Sequence, residues 1–205
     1  MRLKLCICIT LALLLVCAAY PVFAQATPAA TGPKAYSPWA AGVGFSGYNP
    51  DFGHGHLLGG TLWVDYTPSK VPQMLRGIGL EVEARDLSFG RSSEFVDLRQ
   101  DVAGGGLIYS WRRFSTVRPY AKLLMGFGNA DYPVPNIPRY HQTRTITALG
   151  GGVDFRAFRQ LWVRADYEYQ FWPDFYFEGG KPIAQLNPAG FTVGALYHFS
   201  RPHFR

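Results

Sequence analysis

Cysteine is scarce, and what there is sits at one end. Cys6, Cys8 and Cys17 are the three in the chain, so nothing beyond position 17 can form a disulfide or a thiolate metal site. A small exported domain held together by disulfides is thereby excluded. Long apolar runs are equally rare. The one near the start, Leu5 to Ala19, is about 15 residues, short of the roughly 20 that a helix needs to cross hydrocarbon. Nothing beyond it repeats with a helical period, so a helical bundle is excluded as well. Excess charge of one sign is also missing. The formal net charge is +6, and removing Arg2 and Lys4 with the leading segment leaves +4, a weak basis for a nucleic-acid partner.

What is present begins with an export signal. Arg2 and Lys4 precede the apolar run, and Val22-Phe23-Ala24 supplies small residues at −3 and −1 before Gln25. Cys17 follows Leu15-Val16, which lacks the small residues of a lipoprotein signal. The reading is a cleaved signal peptide over 1–24 and a disordered Ala/Pro/Thr-rich leader over 25–36. A single domain over 37–205 follows.

From Trp39 onward the dominant period is two. Eight stretches of membrane-crossing length can be drawn: 38–48, 57–67, 77–88, 100–111, 118–129, 144–156, 160–171 and 190–199. The seventh is the clearest. Leu161, Val163, Ala165, Tyr167, Tyr169 and Phe171 alternate with Trp162, Arg164, Asp166, Glu168 and Gln170. In the third, Ile78, Leu80, Val82 and Ala84 alternate with Glu81, Glu83 and Arg85. The first, fourth and sixth are glycine-rich, which leaves their registers open.

A soluble barrel with one wet face would alternate in the same way, so the connections and the chain's end must decide. Links after the second, fourth and sixth stretches (67–76, 112–117, 157–159) trend short. Of those after the first, third, fifth and seventh (49–56, 89–99, 130–143, 172–189), the last three are longer and richer in Pro, Gly and aromatics, while the first pair fits poorly because 67–76 is as long as 49–56. Short periplasmic turns and longer outer loops are the outer-membrane pattern, and an even strand count puts both termini in the periplasm. The chain closes on Gly194-Ala195-Leu196-Tyr197-His198-Phe199. Gly194, Tyr197 and Phe199 resemble the C-terminal signal that delivers outer-membrane barrels to their insertion machinery. The tail Ser200–Arg205 departs from that pattern.

These features together resemble the OmpA/OmpX-type small outer-membrane barrels over about residues 37–199. The resemblance implies an all-β, eight-stranded antiparallel up-and-down transmembrane barrel, exported through the Sec pathway into the outer membrane of a Gram-negative envelope. Its partners would be outer-membrane lipid and lipopolysaccharide, and it would act as a monomer.

If the apolar rows meet lipid, Asp65, Glu81, Glu83, Arg85, Lys122, Asp154, Arg164, Asp166 and Glu168 fall inside. The reverse would set Arg and Lys in hydrocarbon at about 2–4 kcal/mol each near the midplane. An eight-stranded barrel is just wide enough for its own side chains, so the expectation is a charge-paired, plugged lumen. Trp39, Tyr48, Tyr66, Tyr109, Trp111, Tyr120, Tyr169, Trp172 and Tyr197 lie near strand ends and are read as girdles at the two membrane boundaries.

Catalytic readings fare less well. Glu81/Glu83 and Asp166/Glu168 could form carboxylate pairs, but glycosidase chemistry needs a wet cleft that a packed lumen lacks. His54 and His56 near Asp51 lack further metal ligands, so neither a metal nor a cofactor is expected. His198-Phe199-Ser200 resembles the His-x-Ser pair of lipid A deacylases, yet no acid follows it and it ends the last strand. The outer-leaflet residues of the lipid A palmitoyltransferase find no match. The last loop's Trp172, Phe175, Tyr176 and Phe177 form either a contact surface or a cover on the rim. Arg139, His141 and Arg144 in the loop before it offer charge to lipopolysaccharide phosphates. A non-enzymatic structural or surface-interaction role leads. The alternatives are a lipid A-modifying enzyme, a narrow channel and a periplasmic lipocalin-like binder.

Overall fold

The computed structural model describes residues 36–51, 55–68, 71–72, 75–91, 98–112, 115–132, 140–176 and 182–200. The signal and leader expected over 1–24 and 25–36 lie outside these residues.

The described chain is all strand and turn. In order, β1 is Tyr36–Asn49, β2 His56–Tyr66, β3 Ile78–Arg91, β4 Arg99–Ser110 and β5 Val117–Tyr132. Then come β6 Tyr140–Arg156, β7 Leu161–Tyr176, the short β8 Pro182–Leu186 and β9 Ala189–Ser200. Every pairing is antiparallel between chain neighbours from β1 to β7. β9 then pairs with both β7 and β1, which closes the sheet. β8 pairs only with the outer part of β7 (Trp172↔Leu186), and the Pro188 carbonyl accepts from Gln170 N–H in between. β8 and β9 thus form one barrel strand broken at Asn187-Pro188, giving an eight-strand cylinder.

Alternation decides which way each side chain points. Along β2 the residues alternate exposed and buried without a break from His56 to Asp65. Val43, Phe45, Leu62, Val82, Leu107, Met125, Phe127, Phe191 and Val193 all face outward and are more than half exposed. Each would be costly to leave in water, and together they form a continuous oily belt. Its limit at one end is set by outward charges: Arg99 reaches Asp86 at 3.2 Å and Asp101 at 3.1 Å.

The expected boundaries hold closely at the end carrying the termini, called here the terminal end. At the far end the strands run on. The links 130–143 and 172–189, read as long loops, are largely hairpin: β5 reaches Tyr132, β6 starts at Tyr140, β7 reaches Tyr176, and β8 answers it. Backbone amides leaving the bilayer keep their ladder partners, so pairing continues beyond the length needed to span. The link after β2, 67–77, is in turn longer than the far-end link 50–55.

The glycine-rich strands have a packing reason. A Cβ on Gly42 would strike the Trp63 ring, one on Gly128 the Trp172 ring, and one on Gly150 the Lys122 stem. Large lumen side chains lie flat across a neighbouring strand, and only glycine admits so close an approach.

Candidate functional site

The cylinder's interior is where buried ionisable groups converge among the described residues. All nine residues assigned inward from sequence are at most 7 % exposed. Strand parity puts them there: Glu81, Glu83 and Arg85 share one face of β3, and Arg164, Asp166 and Glu168 share one face of β7.

Two cationic centres organise the network. Nearer the terminal end, Arg164 donates to Asp65, Glu81 and Asp154, each at 2.7 Å, with a second bond to Asp154 at 3.1 Å. Its guanidinium plane also sits 4.6 Å from the Tyr120 ring and 5.3 Å from Trp63. One planar fork thereby ties β2, β3, β6 and β7 together, a geometry lysine could not reproduce. Next along the axis, Lys122 lies 2.6 Å from Asp166, 2.7 Å from Glu83, 3.1 Å from Glu168 and 3.2 Å from Glu81. Arg85 joins Glu83 and, at 3.0 Å, Glu168, and stacks 4.2 Å over the Tyr48 ring. Oxygens of Glu83, Asp166 and Glu168 come close enough together to hold a cation, and the Lys122 ammonium occupies that position.

Neutral groups flank these centres. Ser46 Oγ bonds to Thr61 Oγ1 and, at 2.7 Å, to Thr192 Oγ1, while Arg85 Nε donates to Thr61. Gln170 donates to Glu168 at 2.8 Å, and its oxygen accepts from Gln100 at 3.0 Å and Trp172 at 2.8 Å.

Apolar layers close the interior on both sides of the charges. At the far end Tyr48, Leu57, Leu87, Leu98, Val102, Ala130, Ile146, Trp172 and Leu186 form a buried cluster. At the terminal end Ala40, Trp63, Trp162 and Leu196 do the same, with the Arg118 guanidinium 4.0 Å over Trp162. A void of about 10 Å³ lies between the charged and far-end layers, beside Glu83, Glu168, Val102 and Ile146. That is scarcely room for one water.

Three girdle expectations are corrected. Tyr48, Tyr120 and Trp172 are at most 3 % exposed and point into the lumen, since each shares the parity of an inward residue on its strand. Trp39, Tyr109, Trp111 and Tyr197 do face outward. Trp39 packs on Tyr66, Tyr109 on Trp111, and Tyr197 on Phe199. Trp172 also leaves the expected loop surface, because β7 carries it inward. Phe175 and Tyr176 stand in β7 opposite Ala184 and Pro182, and Phe177 lies outside the described residues.

Of the remaining candidates, Gly194 pairs with Gly44 and Arg164, and Tyr197 and Phe199 face outward on β9. His198 is half-buried against Trp162, with no carboxylate following it in the chain. His56 begins β2 and is exposed, whereas His54 and Arg139 fall outside the described residues. Sequence reading missed Ser46 and Gln100 as lumen members. Ser46 lies two residues from Tyr48, and Gln100 two from Val102, so parity was the available signal.

The outer membrane protein beta-barrel domain family matches residues 9–199. The chain belongs to that family. No curated protein matches it by sequence. Among solved structures it is similar to Neisserial surface protein A at 16 % identity and TM-score 0.54, covering 81 % of this chain and 100 % of that one. OprG from Pseudomonas aeruginosa is similar at 13 % identity and TM-score 0.53, over 83 % and 99 %. Ail, the attachment invasion locus protein of Yersinia pestis, is similar at 18 % identity and TM-score 0.51, over 80 % and 99 %. At these identities the likeness is one of fold. Membership of the family places the chain in the outer membrane.

Proposed function

We propose that this barrel is a non-enzymatic scaffold of the outer membrane that acts through its far-end surface, with both termini in the periplasm. The observation that carries the reading is the three-layer interior. Apolar side chains close both ends of an ion-paired middle, so neither ions nor a substrate have a path along the axis. A charged residue serving catalysis must meet solvent or substrate, whereas these are buried and make their short contacts with one another and with neighbouring lumen side chains such as Thr61 and Gln170. What remains for interaction is the outside: the apolar belt for lipid and the far-end hairpins for lipopolysaccharide or a partner beyond the cell. Two of the similar structures carry names that speak of the surface, surface protein A and an attachment invasion locus protein, which supports a surface role. Insertion would use the Gly194, Tyr197 and Phe199 signal, and the barrel would act as a monomer without nucleic acid.

The test is electrical and chemical. Purified barrel in a planar bilayer should give no unitary conductance steps, and lipid A from expressing cells should have an unchanged mass. Discrete openings would establish a channel, and a changed acylation pattern an enzyme. A C-terminal tag should resist surface labelling of intact cells; a labelled tag would reverse the orientation.

A further inference from the structure

The terminal-end turns carry positive charge and no carboxylate. Segments 67–77, 111–116 and 157–160 contain no Asp or Glu, whereas the far-end links hold Asp51, Glu94, Asp97 and Glu178. Among described residues, Arg76, Arg112, Arg156 and Arg159 are exposed at this rim. Each directly follows an exposed apolar side chain: Leu75, Trp111, Phe155 and Phe158, the last 70 % exposed. The turns are joined to their neighbours, because Ser110 N–H donates to the Gly77 carbonyl and Arg156 N–H to the Thr116 carbonyl. The pairs therefore stand on one fixed arc running from β2 to β7.

An apolar side chain followed at once by a guanidinium suits a boundary where acyl chains give way to phosphates. The apolar side chain enters the oil, the long arginine stem follows it, and the planar charge stays at headgroup depth. Guanidinium forks bind phosphate oxygens in pairs, and a rim of one sign concentrates anions. We infer that this arc is a docking surface for anionic phospholipid headgroups, which anchors the barrel's terminal end in a phospholipid leaflet. It rests on the reading that the terminal end faces the periplasm. The partner is phospholipid because lipopolysaccharide would then lie at the opposite end.

The experiment uses full-length barrel purified from membranes in neutral detergent, with bound lipids counted by native mass spectrometry. Phosphatidylglycerol should be retained in preference to phosphatidylcholine. Each arginine should contribute about fivefold, so the variant carrying Arg76→Gln, Arg112→Gln, Arg156→Gln and Arg159→Gln should lose the preference. Equal retention by the native barrel, or a preference that survives in a variant that still shifts on heating in gels, would overturn the proposal. Should that variant not fold, raising salt from about 50 to 500 mM on the native protein must abolish the preference, and persistence would overturn it. Stronger retention of lipid A than of phosphatidylglycerol by the same arginines would also overturn it, while leaving the sealed-lumen reading intact.

Discussion

The middle of the lumen and its far-end cap are both buried and both closed, yet they are built from opposite materials. The middle uses Arg164, Lys122 and Arg85 against six carboxyl groups. The cap uses Leu57, Leu87, Leu98 and Trp172, with glutamine as its polar component. An ion-paired interior is all-or-nothing: it tolerates burial only while every charge keeps its partners. An apolar cap degrades gradually as atoms are removed. The barrel thus places its least forgiving contacts where strands are locked on both sides, and its more forgiving ones where hairpins leave the membrane.

The largest effect should come from Arg164→Met. It takes four charge-assisted bonds at once from Asp65, Glu81 and Asp154, and leaves Glu81 only its ion pair with Lys122. Removing one partner of a buried pair typically costs about 3–5 kcal/mol, and here three carboxyl groups share the loss. Urea unfolding of the reconstituted barrel, followed by heat-modifiable gel mobility, should show the midpoint collapse. Neutralising the partners as well, with Asp65→Asn, Glu81→Gln and Asp154→Asn, should recover much of it. A single substitution costing under about 1 kcal/mol would mean that the network is not what holds the middle together.

Next comes Trp172→Ala, which tests the cap. It removes the largest side chain there and the indole bond to Gln170. Large aromatic truncations cost about 3–5 kcal/mol, and the lower figure is expected where rim hairpins can relax inward. Trp172→Phe should restore most of the loss in the same urea titration. If Trp172→Ala were instead silent, the cap would not be a packed layer.

The two regions also differ in how far the sequence disclosed them. Charges in a period-two pattern have one affordable side, so Glu81, Arg164 and Asp166 could be assigned inward from the cost of placing them in lipid. Aromatics have no such compulsion. Tyr48, Tyr120 and Trp172 suit a boundary girdle as well as a lumen, and position near a strand end favoured the wrong side. Parity carried the answer in each case: Tyr120 is two residues from Lys122, and Trp172 two from Gln170. The far-end hairpins were less legible for another reason. Pro, Gly and aromatic content marks where a membrane span ends, but it does not say whether the ladder stops there. The partner strand decides that, and β8 answering β7 across Trp172↔Leu186 is a long-range fact.

Gln100→Leu should have the smallest effect, and it probes the seam between the two regions. Gln100 donates to the Gln170 oxygen at 3.0 Å, but that oxygen also accepts from Trp172 at 2.8 Å. Losing the first bond therefore leaves no orphaned acceptor on Gln170. The Gln100 oxygen is itself buried with no hydrogen-bond partner, so leucine removes a desolvated group along with the donor. A net hydrogen bond is worth about 1 kcal/mol, and the relieved oxygen offsets part of that. The urea midpoint should move by less than the equivalent of about 1 kcal/mol. A shift approaching that of Arg164→Met would show that the seam belongs to the ionic network, and that charge pairing governs the lumen up to the cap itself.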